Sequence, residues 1–303
     1  MGDRQRGAVV TIGSFDGVHR GHQAILSFLV ERAGERDAPP VLLTFDPHPR
    51  EIVSGEPVGL LTTPAERAAL VSTFGVRETV ILPFDRKMAQ MPAEEFVERI
   101  LVGQVGAGCI VIGYDHGFGA GRRGNRELLE QLGPELGFDV EIIPAQLVDA
   151  HVVSSSSIRR ALSETGDVAL AANLLGRPYR WRGLVVDGDK RGRTIGYPTA
   201  NLQAVAHRKI IPLPGVYAVT VRRGEEDLAG GMMNVGTRPT FDGGRQRQEV
   251  HLFDFEGDLY GDVLTVEFRE RLRDEQRFDG LESLVEQLKL DEARCRHILT
   301  GVL

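Results

Sequence analysis

The sequence predicts an α/β domain built on a parallel sheet, followed by a small antiparallel β-barrel with a C-terminal helix. Three observations support this fold class. Short apolar runs alternate with helical patterns up to residue 176, whereas later runs are punctuated by Gly, Pro and Asp, and one amphipathic stretch closes the chain. A length of 303 residues suits two domains better than one. We therefore predict domains of residues 1–176 and 177–303.

The apolar runs of the first domain are short and nearly continuous in Val, Ile and Leu. This composition is typical of parallel strands that helices cover on both faces. The predicted strands are 9–13, 41–45, 79–84, 109–113 and 140–144. Helical patterns separate them, and two further short helices, near 157–164 and 168–175, are predicted to end the domain.

The second domain has strand-like runs of a different spacing. They lie at 181–186, 216–222, 232–235, 249–255 and 263–268. Short strands separated by turn residues indicate an antiparallel barrel. The final pattern, Leu281–Leu299, has helical periodicity and predicts a closing helix.

Composition excludes several classes of protein. With 42% hydrophobic and 26% charged residues the chain resembles an ordinary globular protein. No apolar stretch is long enough to cross a bilayer, and the first ten residues lack the apolar core of a signal peptide. A net charge of −7 argues against nucleic-acid binding. Cys109 and Cys295 are far apart in no metal-binding spacing, which favours a cytoplasmic location.

The segment GSFDGVHRGH, residues 13–22, directly follows the first predicted strand. Ligands of open parallel sheets bind beyond the carboxyl ends of the strands. Glycines here let a ligand approach the backbone, and the helix predicted to begin near Gly21 offers free N–H groups and a positive dipole end. His19 and His22 flank its first turn, so both rings could donate to one anion.

This segment therefore predicts a phosphate site for a nucleotide. Its candidate residues are Gly13, Phe15, Asp16, Gly17, His19, Gly21 and His22. The alternative is that the two histidines are ordinary surface residues of a glycine-rich turn.

Two further segments follow predicted strands at the same edge of the sheet. In LLTFDPHPREIV, Asp46, Pro47 and His48 form a proline-restricted loop, for which a rigid turn without a ligand is the alternative. In VIGYDHGFGAGRRGN the spacing of Gly119 to Gly124 matches a dinucleotide motif, but the first glycine comes too late after the strand. We interpret the latter as a glycine-rich loop over a planar ligand, with Asp115 near the adenine or ribose.

A run of serines precedes the first of the two short helices. In VVSSSSIRRAL the hydroxyl groups could cap the helix and donate to phosphate, and an arginine in its first turn could hold phosphate with two hydrogen bonds. The candidates are Ser155, Ser156, Ser157 and Arg159. Plain N-capping is the alternative, although it would explain one serine rather than four.

The first segment resembles the GxFDGxHxGH signature of the nucleotidyltransferase superfamily. With all four segments in order, the first domain resembles the FMN adenylyltransferase module of prokaryotic bifunctional FAD synthetases. The resemblance implies a Rossmann-like fold, ATP and FMN as substrates, and flavin contacts from Asp46, Pro47, His48 and Phe118. The chain departs from the family at 115–119, where it has Asp-His-Gly-Phe-Gly instead of Asp-Phe-Arg-Phe-Gly.

The second domain contains its own candidate site. A basic glycine-rich loop could hold phosphates through backbone N–H groups and Lys190. Its candidates are Gly188, Lys190, Gly192 and Gly196. Thr199 and Asn201 supply oxygen ligands of the type that Mg²⁺ prefers. Glu249 begins a strand on which alternation places His251 and Phe253 on the same face. A polar hairpin and an exposed carboxylate at the barrel rim are the alternatives.

This half resembles riboflavin kinase. The motifs that carry the resemblance are GYPTAN (196–201), GVY (215–217), NVGTRPTF (234–241), EVH (249–251), DLYG (258–261) and FDGLESL (278–284). The resemblance implies a six-stranded barrel, Arg238 as a flavin contact, and two reactions: riboflavin and ATP give FMN, and FMN and ATP give FAD and pyrophosphate.

The chemistry matches the two residue sets. A kinase must activate the ribityl hydroxyl, so Glu249 is the expected general base. The phosphate of FMN is already anionic, so adenylyl transfer needs only charge neutralisation and alignment, for which His19, His22, Ser156 and Arg159 are the candidates. ATP-bound Mg²⁺ would serve both steps.

Two other classes of protein remain as alternatives. One is a different nucleotidyltransferase with an appended barrel, which the kinase-like second half disfavours. The other is a non-catalytic flavin sensor or an RNA-binding barrel. The barrel lacks a dense aromatic and basic face, which argues against RNA.

Overall fold

The computed structural model describes residues 7–113, 117–143, 153–188, 191–237 and 246–301. The chain divides into two compact units, Met1–Ser155 and Ser156–Leu303. Among the described residues, no helix combines the length and hydropathy that a membrane span requires. Cys109 and Cys295 are buried free thiols, and burial raises the pKa of each to about 12.

The first unit contains a five-stranded parallel sheet, as predicted. Its strands are β1 (Ala8–Ile12), β2 (Pro40–Asp46), β3 (Glu78–Pro83), β4 (Ala107–Gly113) and β5 (Asp139–Ile143). The strand order is β3-β2-β1-β4-β5. Because every pair is parallel, the carboxyl ends of all five strands lie at one edge of the sheet.

Helices cover both faces of this sheet. They are α1 (Arg20–Glu35), α2 (Pro49–Ser54), α3 (Pro64–Ser72), α4 (Arg86–Gln90), α5 (Ala93–Phe96), which continues as a π-helix over Val97–Val105, and α6 (Arg126–Leu136). Along β1, Val9 packs with residues of α1 and α3, whereas Val10 packs with residues of α5 and its π-helical continuation. The alternation explains why the central strands are apolar on both sides.

The second unit contains a closed six-stranded antiparallel barrel. Its strands are β6 (Tyr179–Val186), β7 (Ala200–Ala204), β8 (Gly215–Arg223), β9 (Glu226–Thr237), β10 (Gln246–Leu252) and β11 (Val263–Arg273). They close in the order β10-β7-β6-β11-β8-β9. Of these strands, β7 was not predicted, because its sequence ANLQA has weak β-propensity.

Among the described residues, three α-helices accompany the barrel. They are α7 (Ser155–Arg160), which begins at the last residue of the first unit and continues as a π-helix over Ala161–Thr165, α8 (Val168–Leu175) and α9 (Leu281–Leu299). The bounds of α8 and α9 are those predicted. Cys295 and Leu299 of α9 pack against Val216, Met232 and Phe253, so this helix covers part of the barrel.

Helix α8 packs against the barrel strands β6 and β11. Its Val168, Ala171, Leu174 and Leu175 are buried, and in the preceding segment the carbonyl of Leu162 accepts a hydrogen bond of 2.8 Å from Leu213 N. The division between the two compact units therefore lies about twenty residues before the predicted domain boundary at 176. The boundary at 176 remains a prediction of where one activity ends and the other begins.

We expect a fragment of residues 156–303 to be more stable than one of residues 177–303. Removal of α8 would expose apolar surface on β6 and β11, and a fully buried Val or Leu contributes about 1.5–3 kcal/mol. The free energy of unfolding in urea should therefore be lower by at least about 3 kcal/mol in the shorter fragment. Equal values for the two fragments would mean that α8 adds nothing to the barrel.

Candidate active sites

The loop after β1 carries the first candidate site and has an unusual backbone. Phe15 and Val18 have positive φ angles of 45° and 42°, which are costly for residues with side chains. Gly17, with φ 86°, supplies a conformation that suits glycine. The loop ends at His19, which caps α1, so the chain turns sharply from strand to helix.

His19 and His22 lie face to face at the start of α1. Their ring centroids are 3.6 Å apart with an interplanar angle of 13°, and Phe15 stacks on His22 at 4.5 Å. Nδ1 of His19 accepts a hydrogen bond of 3.3 Å from His22 N. In a neutral His19 ring the proton is therefore on Nε2, and that nitrogen is the donor.

Burial lowers the pKa of His22 well below its ordinary value, and repulsion from His19, when that ring is protonated, and from Arg67 lowers it further. At neutral pH the ring is therefore uncharged and offers one donor and one acceptor. Its Nδ1 is buried without a hydrogen-bond partner among the described residues. A buried polar atom of this kind can be satisfied by an ordered water or by a polar ligand.

Asp16 is fully buried and holds the loop to the segment before α3. Its carboxylate accepts hydrogen bonds from Leu61 N, Thr62 N and Thr62 Oγ1 at 2.9–3.1 Å. Gly17 N donates to Thr62 Oγ1 at 2.9 Å, and Ser155 Oγ donates to the carbonyl of Asp16 at 2.8 Å. Asp16 thus contributes to the site by fixing the shape of the loop.

The DPHP segment lies at the carboxyl end of β2, on the same edge of the sheet. Asp46 is the last residue of β2, and the following peptide bond to Pro47 is cis. His48 caps α2, where its Nδ1 accepts a hydrogen bond of 3.2 Å from Arg50 N. The structure therefore gives His48 a capping role at the ligand edge, while its contact with flavin remains a prediction.

The glycine-rich loop after β4 is closed by two hydrogen bonds of 2.9 Å between the backbones of Phe118 and Gly124. The Phe118 ring is buried and packs at 5.8 Å from the ring of Phe96. Its apolar environment explains its position without a ligand, so its contact with flavin remains a prediction. Asp115 lies outside the described residues.

The serine run starts α7. Ser155 is the last residue of the first unit and bonds to Asp16, whereas Ser156, Ser157 and Arg159 follow on the same helix. Ile158 is the buried residue of this helix, and the side chains of Ser156 and Arg160 are exposed. The phosphate contacts predicted for this run remain predictions.

The second candidate site lies across three neighbouring barrel strands. Glu249 of β10 pairs with Asn201 of β7 on one side and with Asn234 of β9 on the other. Residues directly opposite in antiparallel strands share a face of the sheet. The register therefore places a carboxylate between two amides, although Asn201 and Glu249 are 48 positions apart in the sequence.

Arg247 contacts two of these residues, Glu249 and Asn201, and was not identified as a site residue from the sequence. Its Nη2 forms an ion pair of 2.6 Å with Glu249 Oε1, and its Nε donates to Asn201 Oδ1 at 3.4 Å. In the sequence Arg247 appears as one charge among several in a polar run. Its spacing of two residues from Glu249 on a strand is the signal that could have identified it.

The glycine-rich loop of the barrel lies against this site. A Cβ at Gly188 would overlap the side-chain amide of Asn201, so the close approach requires glycine. The carbonyl of Gly192 accepts a hydrogen bond of 2.9 Å from Tyr197 N, and Gly196 turns the chain with φ 81°. Lys190 and Arg238 lie outside the described residues.

His251 supports the segment that carries Thr199. Its Nδ1 lies 2.7 Å from the carbonyl of Pro198, which can only accept, so Nδ1 holds the proton and donates. The Tyr197 ring packs against the His251 ring at 5.1 Å. Phe253, predicted on the same face, follows β10 and is buried under α9.

Two cavities adjoin Thr199. The larger has a volume of about 320 Å³ and contains Glu249, Asn234 and Arg247 together with apolar walls from Val216, Met232 and Leu288. The smaller has a volume of about 130 Å³ and is lined by Phe255, Gly257, Asp258, Leu259 and Tyr260. Thr199 borders both, so it lies where groups bound in the two cavities would meet.

The larger cavity is also lined by an ion pair between Arg273 and Asp291. The Arg273 guanidinium binds Asp291 with Nε and Nη2 at distances between 2.7 and 3.1 Å, and Gln287 Nε2 donates to the same carboxylate at 2.9 Å. Because Arg273 ends β11 and Asp291 belongs to α9, the pair fixes the helix against the barrel.

Comparisons with known proteins agree with this arrangement. The family model for FAD synthetase matches residues 2–157, and that for riboflavin kinase matches residues 175–299. The chain is 44% identical over 296 residues to a bifunctional riboflavin kinase/FMN adenylyltransferase of Pseudomonas fluorescens, which covers 96% of this chain and 93% of the relative. The corresponding protein of Escherichia coli K12 is 41% identical over 293 residues, with the same coverage.

A solved structure has the same architecture. It is described as a macrolide-efflux protein from Streptococcus pneumoniae, and it matches with a TM-score of 0.84 at 36% identity, covering 96% of this chain and 95% of that one.

Proposed function

The chain belongs to the bifunctional riboflavin kinase/FMN adenylyltransferase family, and from this premise we propose which residues carry out each of its two reactions. It phosphorylates riboflavin with ATP to give FMN, and it transfers the adenylyl group of a second ATP to FMN to give FAD and pyrophosphate. The family matches to both halves argue against a different nucleotidyltransferase and against a non-catalytic sensor.

For adenylyl transfer, the observation that carries the proposal is the stacked His19–His22 pair at the N-terminus of α1. The Nε2 proton of His19 and the unpartnered Nδ1 of His22 supply polar atoms at the carboxyl end of β1. Free N–H groups and the dipole of α1 favour an anion at the same place. Bound phosphates would gain these contacts as negative charge develops on the leaving pyrophosphate.

The other residues of the first site have supporting roles in this proposal. Gly13, Gly17 and Gly21 allow the loop to approach the nucleotide, and Asp16 and Phe15 hold its shape. Asp115, Ser155, Ser156, Ser157 and Arg159 complete the ATP site, and Asp46, Pro47, His48 and Phe118 complete the flavin site. No base is needed, since the attacking phosphate oxygen of FMN is already ionised at neutral pH.

For phosphoryl transfer, the proposal rests on Glu249, which faces the larger cavity between Asn201 and Asn234. The apolar walls of that cavity suit a flat flavin ring, and its carboxylate can accept the proton of the ribityl hydroxyl as the oxygen attacks phosphorus. ATP would occupy the smaller cavity and the loop of Gly188, Lys190, Gly192 and Gly196. Arg238 is proposed to contact the flavin. We assign the kinase to residues 177–303 and the adenylyltransferase to residues 1–176.

The residues present fit a magnesium ion brought by ATP. Thr199 offers a hydroxyl oxygen, and the amide oxygen of Asn201, which accepts one hydrogen bond from Arg247, has a second lone pair for a ligand. Gly188 leaves room for the Asn201 side chain. Among the described residues, no cluster of three or more His, Cys, Asp or Glu side chains could hold a metal by itself. A site with few protein ligands is typical of Mg²⁺ held mainly by nucleotide phosphates. The ion would neutralise phosphate charge and orient the transferred group.

Replacing Asn201 with alanine should raise the Mg²⁺ concentration that half-saturates FMN formation by about tenfold, the scale of one lost ligand or its support. The Mg²⁺ requirement of FAD formation from supplied FMN should stay unchanged, because Asn201 belongs to the barrel. Initial rates at fixed ATP and varied Mg²⁺ measure both. An equal shift of the half-saturating Mg²⁺ concentration in both reactions would contradict this role of Asn201, because it would reflect a general effect on folding or on binding of Mg·ATP.

The overall assignment is tested by incubating the purified protein with riboflavin, ATP and Mg²⁺ and following flavins by chromatography. FMN should accumulate first and FAD later, and supplied FMN should give FAD without riboflavin. We propose a cytoplasmic enzyme whose partners are these small molecules, with neither nucleic acid nor membrane involved.

A further inference from the structure

A fully buried arginine of the first unit belongs to none of the segments that the sequence singled out. Arg67 is the fourth residue of α3, and its side chain is 1% exposed. A guanidinium remains charged at any physiological pH, and burying it is costly unless its donors are well placed. The position of this charge therefore requires a physical reason.

The contacts of Arg67 form a relay that ends at the loop after β1. Nη1 donates to Thr44 Oγ1 at 2.7 Å and to the carbonyl of Phe45 at 3.3 Å. Thr44 Oγ1 in turn donates to the carbonyl of Ser14 at 3.0 Å. Thr44 is fully buried in β2, so the relay passes through the interior rather than through solvent.

A second connection runs between the same two parts of the chain. Asp16 binds Leu61 and Thr62, which directly precede α3, while Arg67 binds through Thr44 to Ser14. The loop that presents His19 is thus attached to α3 and the residues before it at two points. The effect of the Arg67 charge on the pKa of His22 places the guanidinium within electrostatic range of the stacked pair.

We propose that Arg67 is a positioning residue for adenylyl transfer, which acts through Thr44 and Ser14 on the loop that carries His19 and His22. The inference rests on the role proposed above for those two histidines. A small displacement of groups that align a phosphate with its nucleophile lowers the rate of reaction strongly. Loss of the Arg67 side chain should therefore lower kcat of FAD formation and leave the KM for FMN unchanged.

The test measures FAD formation from FMN and Mg·ATP by the full chain, with riboflavin phosphorylation by the same protein as the internal control. Arg67→Met should lower kcat of FAD formation about 10- to 100-fold. Thr44→Val, which keeps the shape of the side chain and removes the bridging hydroxyl, should lower it about tenfold. Arg67→Lys, which keeps a donor and the charge, should recover most of the activity.

The double variant Arg67→Met/Thr44→Val should be no slower than Arg67→Met alone, because both changes break one relay. Thr73→Val is a matched control, since this exposed hydroxyl lies just after α3 and bonds only locally, to the carbonyl of Leu70. It should leave both activities unchanged.

Wild-type FAD formation in Thr44→Val would overturn the relay, even if Arg67→Met proves too unstable to assay. Additive losses in the double variant would also overturn it. His22→Ala separates this inference from the proposed site. If His22→Ala is impaired and Thr44→Val is normal, only the relay is wrong, whereas a normal His22→Ala would contradict the site itself.

Discussion

Replacing Glu249 with glutamine is expected to lower the rate of FMN formation about 10²–10⁴-fold, the range typical of a lost general base. Glutamine keeps the size of the side chain and can still contact Arg247, so the barrel should fold as before. It cannot accept the proton of the ribityl hydroxyl. The measurement is the initial rate of FMN formation from riboflavin and Mg·ATP.

Conversion of supplied FMN to FAD by the same variant should remain near the wild-type rate, because that reaction deprotonates no hydroxyl. Glu256→Gln is a matched control on an exposed glutamate of the same barrel and should leave both rates unchanged. If Glu249→Gln slows the two reactions equally in a well-folded protein, the assignment of Glu249 as the base is wrong.

His22→Ala is expected to have the opposite pattern. Loss of a donor to developing negative charge should lower FAD formation about 10²-fold or more. Riboflavin phosphorylation by the same protein should stay near its normal rate, because His22 lies in the other unit. Both rates are measured in one preparation by chromatography of the flavins. His207→Ala, on an exposed residue of the barrel unit, serves as the control.

The second histidine needs a different substitution. His19 caps α1, and removing a cap costs about 1 kcal/mol, so His19→Ala would mix a folding effect with a catalytic one. His19→Asn keeps an acceptor for His22 N and removes the imidazole. The His19→Asn/His22→Ala double variant should lose less than the product of the single effects, because both rings are proposed to contact one anion. Unchanged FAD formation in His22→Ala would mean that the pair is a feature of the turn alone.

A pH titration of stability gives a second readout for His22→Ala. The pKa of His22 is below 6.5 in the folded protein, so between that lowered value and 6.5 the unfolded chain binds more protons. Stability of the wild type should therefore be lost as pH falls below 6.5. This part of the pH dependence should be weaker in the variant, which lacks the buried ring.

Regular elements of this protein follow from local sequence. The prediction was close for the strands of the parallel sheet and for the helices Val168–Leu175 and Leu281–Leu299. A helix buried along one stripe has apolar residues at helical spacing, and a strand buried on both faces is a continuous apolar run, so both patterns are visible in the sequence. The loop of His19 and His22 was likewise predictable, since its glycines and histidines directly follow a strand. Motifs of this kind are local, and so is the backbone geometry that they require.

Elements that depend on distant partners could not be predicted in the same way. The strand Ala200–Ala204 contains residues with weak β-propensity and is extended because β6 and β10 pair with both of its edges. Asn201, Arg247 and Glu249 meet only through the register of the barrel, and Arg67 reaches Thr44 only because α3 packs on the sheet. Local sequence determines the hydrophobic periodicity of each element and the positions of the turns. Strand register and helix packing depend instead on contacts between residues far apart in the chain, and those contacts determined which charged side chains meet at the two sites.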